Sequence, residues 1–121
     1  MTNQDPSRVV TDLQMQKLAQ AVELFRTHDK EIPAQVIATF LYVASHDDCF
    51  KGDLEKALAF STASGSRNTD WLSAFHRLNK PGLGLIIKYR DPNNRRRQVL
   101  QLSPKGRKLV QELKNILYSV N

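Results

Sequence analysis

Hydrophobic residues recur at three- and four-residue intervals over most of the chain, a pattern typical of amphipathic helices. The longest such segment, residues 7–28, contains no glycine or proline and predicts a first helix. Its apolar positions cover about half of the helix circumference, wider than the roughly 100° stripe that packing on one small core requires. We therefore expect this helix to contact more than its own domain, with ordinary deep burial as the alternative.

Three other segments have the same helical spacing. The second helix is predicted from Pro33 to about Ser45, the third from Gly52 to about Ala59, and the last from Pro104 to about Val120. Proline suits the first turn of a helix because its fixed φ is already helical and its missing N–H has no partner there. Cys49 and Phe50, between the second and third helices, predict a very short strand.

The segment between the third helix and residue 80 combines a predicted turn with a predicted helix. Residues 61–68, STASGSRN, are small and polar, and they predict a turn. A fourth helix is expected from about Asn68 to Leu78. Its predicted core side contains Trp71, Leu72, Phe75 and Leu78, and its predicted solvent side contains Thr69, Ser73, His76 and Arg77.

Residues 84–106, GLIIKYRDPNNRRRQVLQLSPKG, predict a β-hairpin followed by the start of a helix. Leu85 to Tyr89 favour a strand, residues 91–94 are turn formers, and Val99 to Leu102 form the returning strand. Ser103 supplies a hydroxyl that can cap the last helix.

Three consecutive arginines follow the turn of this hairpin. Side chains alternate between the two faces of a strand, so Arg95 and Arg97 share one face and Arg96 shares the other with Leu100 and Leu102. One of the arginines is expected to pair with Asp91 and hold the tip.

The charge of the chain is unevenly distributed. The protein has 121 residues and a net charge of +6. Residues 1–64 contain six Lys/Arg and nine Asp/Glu, a net charge of −3, whereas residues 65–121 contain twelve and three, a net charge of +9. A basic half of this kind favours a polyanionic partner, and nucleic acid before a membrane, because no basic helix with a bulky aromatic face accompanies it. A merely soluble basic protein is the alternative.

Other classes of function find little support in the residues. A single cysteine, Cys49, permits no internal disulfide, and no signal peptide or membrane-spanning run is recognised, so we expect a cytoplasmic protein. Residues 46–49 (His, Asp, Asp, Cys) do not have the spacing of zinc ligands. Cys49 is expected to be inert rather than redox-active. No grouping of catalytic residues is present, so no enzyme activity, cofactor or metal is expected.

The order helix, helix, short strand, helix, helix, strand, strand, helix predicts a mainly α protein with a small β-hairpin. It resembles the MarR-type transcriptional regulators, a winged helix-turn-helix family. The resemblance lies in Leu54–Leu58, in Trp71–Leu78 and, most specifically, in the hairpin, where Asp91 precedes the arginines and the return strand ends in Leu102-Ser103-Pro104-Lys105-Gly106.

The resemblance implies a double-stranded DNA partner. The fourth helix would enter the major groove, which admits one α-helix, and the hairpin would reach the adjacent minor groove through Arg95 or Arg97. We predict DNA contacts at Ser66, Arg67, Asn68, Thr69, Ser73, Arg77, Lys88, Arg90, Arg95, Arg96 and Arg97. Among them, Thr69 and Ser73 are expected to read bases, and Ser66 to Asn68 to lie near phosphate at the helix N-terminus.

The resemblance also implies how the chain is organised. Residues 1–30 would hold an N-terminal dimerisation helix, 31–103 the DNA-binding domain and 104–121 a C-terminal dimerisation helix. Residues 7–28 and 104–120 would join a homodimer that acts as a repressor, with an unidentified small-molecule effector. The alternatives are a winged-helix module that binds another protein and a replication-type DNA-binding protein without strong sequence preference.

Overall fold

The computed structural model describes residues 9–46, 48–74 and 80–119. Its order of elements is α1 (Leu13–His28), α2 (Ala34–Ser45), β1 (Cys49–Phe50), α3 (Lys51–Leu58), α4 (Thr62–Leu72), β2 (Ile86–Asp91), β3 (Asn94–Leu102) and α5 (Pro104–Leu117). The predicted fold, mainly helical with a small hairpin, is confirmed.

Three of the helices, α1, α4 and α5, begin where a short polar side chain accepts a hydrogen bond from a free backbone N–H group. In α1 the cap is Asp12, whose carboxylate accepts a hydrogen bond from Met15 N at 3.1 Å. The predicted start at residue 7 is therefore wrong for residues 9–12, while residues 7 and 8 lie outside the described residues. Ser103 caps α5 as predicted, since its Oγ accepts from Gly106 N at 3.0 Å.

The largest departure from the sequence prediction is α4, which begins at Thr62 and not near Asn68. Ser61 caps it, accepting a hydrogen bond from Ser64 N at 3.0 Å. The predicted turn over 61–68 is therefore wrong, and only Ala59, Phe60 and Ser61 connect α3 to α4. The helix ends at Leu72, so the predicted extension to Leu78 is wrong at Ser73 and Ala74, and residues 75–79 lie outside the described residues.

Close contact between α3 and α4 accounts for this helix. A Cβ on Gly65 would overlap the side chain of Glu55, so glycine allows the two helices to approach. Asn68 Nδ2 donates to Gln35 Oε1 of α2 at 3.1 Å, and Thr69 is fully buried. Burial of these small side chains overrides their local preference for a turn.

The three strands form one antiparallel sheet in the order β1-β3-β2. We call β2, β3 and their connecting turn, residues 86–102, the wing. Ile86 pairs with Leu102 at its base and Arg90 with Gln98 near its tip, and the short β1 pairs Phe50 with Val99. The core of the domain lies between the helices and the base of the wing. Its fully buried side chains include Val36, Phe40, Leu54, Leu72, Leu85, Leu100 and Leu109.

The helix α1 is attached to this core only through its C-terminal half, where Ala21 and Phe25 are buried. Phe25 packs edge-on against Phe40, with ring centroids 5.6 Å apart. The N-terminal half runs along the end of α5, where Lys17 Nζ donates to Ser119 O at 2.5 Å. The large apolar side chains of this half, Leu13, Met15 and Leu18, are exposed.

Candidate nucleic-acid interface

The exposed side of α4 is formed by its N-terminal half. Thr62, Ala63 and Arg67 are exposed and Ser66 is half-buried. At 100° per residue these four positions lie within about 140° of the helix circumference. We call them the reading face. It presents two hydroxyls, a methyl group and a guanidinium, which are side chains that can contact base edges or phosphates.

Asn68 and Thr69, predicted as DNA contacts, are both buried: Asn68 lies on the side of α4 opposite the reading face, and Thr69 lies at the edge of that face, close to Thr62. They are 3% and 0% exposed. The hydroxyl of Thr69 donates within the helix to Gly65 O at 2.8 Å, and the amide of Asn68 is bonded to α2. The prediction that Thr69 lies on the solvent side is therefore wrong, because Lys88 of the wing contacts the Thr69 hydroxyl and the residue is buried.

Two other predicted contacts follow the reading face along the chain. Ser73 is the C-cap of α4 and is half-buried, and its Oγ donates to Asp70 O at 3.0 Å. Its own backbone carbonyl accepts from Gly84 N at 3.1 Å, where the chain approaches the wing. Arg77 lies outside the described residues.

The wing carries four exposed arginines. Arg90 Nη1 donates to Arg95 O across the hairpin at 2.9 Å, which stiffens the tip. The guanidinium carbon of Arg97 lies 4.6 Å from the centroid of the Phe50 ring, a cation–π contact. In the described part of the chain the guanidinium groups of Arg95 and Arg96 are not held in this way, and both residues are exposed on the strand.

The predicted pairing of Asp91 with an arginine is not formed among the described residues. Its carboxylate instead accepts a hydrogen bond from Asn93 N at 2.9 Å, closing the turn at the wing tip. Asn94 Oδ1 likewise accepts from Arg96 N at 3.2 Å. Because these short polar side chains hold the tip, the neighbouring arginines remain available for a partner.

Lys88, another predicted DNA contact, turns towards α4. Its Nζ donates to Thr69 Oγ1 at 3.1 Å and to Asp70 Oδ1 at 2.5 Å. The structure therefore places this ammonium within the protein, between the wing and the helix.

The wing and the helices enclose an open groove of about 720 Å³. The cationic and hydroxyl residues that line it are Lys51, Lys56, Thr62, Ser66, Arg90, Arg96 and Arg97. Of its two carboxylates, Glu55 forms an ion pair with Lys51, and Asp53 is exposed at the start of α3. Basic residues outnumber acidic ones around the groove, so it is suited to bind a phosphodiester backbone.

The sequence prediction missed Thr62, Ala63 and Lys56. The signal for the first two was Ser61, a capping residue followed by ten residues without proline. Lys56 was recognisable only as one more charge on α3, since its place beside the wing depends on the tertiary fold.

Cys49 lies next to this surface but is buried. Burial raises the pKa of its thiol, and the nearby Asp53 and Asp48 add to the increase. The Sγ atom is 3.9 Å from Leu100 O. A neutral, buried thiol is a poor nucleophile, which agrees with an inert side chain. Among the residues that the structure describes, no group of His, Cys, Asp and Glu has the geometry to hold a metal ion.

Over the described ranges, no helix is both long and apolar enough to cross a bilayer.

Comparison with known proteins gives matches at the level of structure. No family model and no curated protein matches the sequence. The structure of the Staphylococcus aureus MepR–DNA complex is 26% identical, with a TM-score of 0.63, over 84% of this chain and 73% of that chain. A MarR transcriptional regulator from Methanosarcina mazei Go1 is 18% identical, with a TM-score of 0.63, over 86% of this chain and 68% of that chain.

A third match is the transcriptional repressor CouR bound to a 23-mer DNA duplex. It is 20% identical, with a TM-score of 0.61, over 88% of this chain and 68% of that chain. The similarities to the Methanosarcina mazei regulator and to CouR concern the fold, and MepR has the same fold. The connection between α3 and α4 is three residues long, shorter than the turn over residues 61–68 that the sequence had predicted. The chain has the winged-helix fold of the MarR-type regulators.

Proposed function

We propose that the chain is a transcriptional regulator that binds double-stranded DNA. The observation that carries this proposal is the combination of an exposed reading face on α4 with the basic groove and the exposed arginines of the wing. The structural neighbours support it, because the MepR and CouR structures were determined with DNA.

In the proposed complex, α4 lies in the major groove and the reading face meets the bases. Arg67 is the candidate for base recognition, because it is exposed and a guanidinium bonds guanine through two hydrogen bonds. It is partly oriented by Ser64, whose Oγ accepts from Arg67 Nη2 at 3.2 Å. Thr62 and Ser66 open onto the groove and suit contacts to phosphate.

The wing arginines divide between two parts of the DNA. Arg95, nearest the tip, enters the minor groove, where the negative potential is strong. Arg90, Arg96 and Arg97 line the groove and hold the backbone of one strand. This arrangement makes affinity depend on the wing and base preference depend on α4.

We also propose that two copies associate through α1 and α5. Met15, Leu18 and Val22 lie on one side of α1 and are 56%, 53% and 42% exposed, and Leu117 and Tyr118 at the end of α5 are 50% and 76% exposed. Apolar side chains exposed together on two adjoining helices mark a surface for association. A two-fold dimer would place two reading faces on half-sites about one helical turn apart and would repress by occluding a promoter. The small-molecule effector stays a prediction.

The decisive experiment is selection of bound sequences from a pool of random duplex DNA. We expect enrichment of a pseudo-palindrome with two half-sites. Retention of DNA without any enriched sequence would contradict sequence-specific regulation, and failure to retain DNA would contradict the proposed function altogether.

The dimer is tested by Leu18→Glu, which introduces a charge on the exposed apolar side of α1. Sedimentation is expected to change from dimer to monomer, while the circular dichroism of the fold is retained. Gln16→Glu adds the same charge at an exposed position of the same helix and is the control. Equal sedimentation of both variants and wild type would contradict this interface.

A further inference from the structure

The ammonium of Lys88 joins the wing to α4. It contacts both Thr69 Oγ1 and Asp70 Oδ1, and the side chains of Lys88 and Asp70 are only 17% and 23% exposed. A partly buried charge pair is screened less by water and salt than one on an open surface. Lys88 therefore has a defined place inside the fold.

Asp70 lies on the same side of α4 as the proposed DNA contacts. It is three residues after Arg67 and four after Ser66, spacings that place side chains together on a helix surface. A carboxylate at this position repels the phosphates of bound DNA unless a cation offsets its charge. Lys88 supplies a positive charge 2.5 Å from it.

Backbone hydrogen bonds and core packing attach α4 to the base of the wing and to the segment that leads into it. Leu85 N donates to Leu72 O at 2.7 Å and Leu83 N to Trp71 O at 3.0 Å. Lys88 makes its contact farther along β2, opposite Leu100 and closer to the wing tip. A second attachment away from the first restricts rotation of the wing about its base.

We propose that Lys88 is a positioning residue: it fixes the wing relative to the reading face and neutralises Asp70, and it does not bind phosphate. This inference rests on the proposed function for its effect on DNA. The contact between Lys88 and Asp70 can be tested without DNA.

The experiment compares Lys88→Met, Asp70→Asn and the double variant in titrations with a labelled random-sequence duplex and with the selected sequence, over a range of KCl. Lys88→Met should weaken binding roughly tenfold, within the range for contacting pairs. Adding Asp70→Asn should restore the part of the affinity that is lost to repulsion by the Asp70 carboxylate, while the part that depends on the attachment of the wing stays lost. Lys88→Arg should bind nearly as well as wild type.

The salt dependence separates positioning from phosphate binding. A lysine that binds phosphate contributes about 0.9 to the slope of log K against log salt, so its removal would flatten the slope by that amount. We expect the slope of Lys88→Met to keep its wild-type value. A slope flattened by about 0.9, without recovery in the double variant, would overturn the proposal. Lys30→Met is the control, because in the described part of the chain its ammonium contacts no other side chain.

Hydrogen exchange tests the attachment on its own. In Lys88→Met, the amides of β2 should exchange about tenfold faster, while those of α2 and α5 keep their wild-type rates. Unchanged exchange in β2, or an equal increase throughout the chain, would overturn the proposed attachment. If the wild type binds no duplex, the proposed function fails and the effect on DNA fails with it, whereas the exchange result still decides whether Lys88 fixes the wing.

Discussion

The two parts of the proposed interface use their side chains differently. In α4, two of the predicted contacts, Asn68 and Thr69, are buried and bonded within the fold, and Arg67 is the exposed cation in the described length of this helix. In the wing, Arg90, Arg95, Arg96 and Arg97 are all exposed. The helix thus offers few, well-placed groups and the wing offers charge. We infer that the wing supplies affinity for DNA of any sequence and that α4 supplies the preference among sequences.

The largest effect is expected from removing two wing arginines. Arg95→Ala together with Arg97→Ala should lower affinity for cognate and random DNA alike by roughly a hundredfold or more, because each hydrogen bond to a charged group is worth about 1.5–3 kcal/mol. The slope of log K against log salt should flatten by about 0.9 for each phosphate that the variant no longer neutralises. Fluorescence anisotropy at several KCl concentrations measures both quantities.

The matched control for this variant is Lys108→Ala with Lys114→Ala. Both lysines are exposed on α5, and their removal lowers the net charge by the same amount. If the control weakened DNA binding as much as the wing variant, net charge and not the wing would account for the affinity.

Removal of the Arg67 guanidinium should act on specificity. Arg67→Ala is expected to cost about 1–3 kcal/mol on the selected sequence, the value of one good base contact, and much less on random DNA. Titration of both DNAs with wild type and variant gives the ratio of affinities for the selected and the random sequence in each protein. Equal losses on the two DNAs would assign Arg67 to the backbone and would remove the contrast between helix and wing.

The sequence predicted the wing more accurately than it predicted α4, and the reasons are physical. The wing is specified locally, by the turn formers at residues 91–94 and by alternating strand residues. The start of α4 is not, because STASGSRN favours a turn when considered alone and becomes helical through Gly65 against Glu55 and Asn68 against Gln35. Such contacts join residues that are distant in sequence, so the hydrophobic periodicity of the chain does not predict them.

The faces of α4 were misassigned for the same reason. Thr69 was predicted to read bases, yet its hydroxyl serves Gly65 O and the ammonium of Lys88. The sequence does not show whether a threonine on a helix faces solvent or is buried and bonded within the fold. The wide apolar arc over residues 7–28 illustrates the opposite case, because it indicated apolar positions in excess of those that the core covers, and Leu18 and Val22 are exposed. Dimerisation through this helix stays a prediction.

The packing that forms α4 can be tested through its glycine. Gly65→Ala adds a methyl group where the Glu55 side chain lies, and overpacking typically costs about 1–3 kcal/mol. Alanine also favours the helix by about 1 kcal/mol over glycine, so a net loss of about 1 kcal/mol is expected. Urea unfolding measures it.

Gly52→Ala in α3 is the control for Gly65→Ala, because no atom lies within 4 Å of a Cβ added there. It should leave stability unchanged or raise it slightly. Equal effects of the two substitutions would mean that helix propensity alone governs position 65 and that close packing against α3 does not require glycine.

The smallest expected effect concerns the contact between Phe50 and Arg97. A variant that removes this contact shows how much the orientation of Arg97 contributes to DNA affinity when its charge is kept. Phe50→Leu keeps an apolar side chain opposite Val99 but removes the ring over which the guanidinium lies. A cation–π contact at an exposed site is worth about 0.5–1 kcal/mol, so affinity should fall by a factor of about two to five. The slope of log K against log salt should not change, because Arg97 remains charged. Phe50→Tyr retains the ring and should bind as wild type does. If Phe50→Leu bound DNA as tightly as wild type, Arg97 would hold the backbone without help from β1, and its charge alone would explain its contribution.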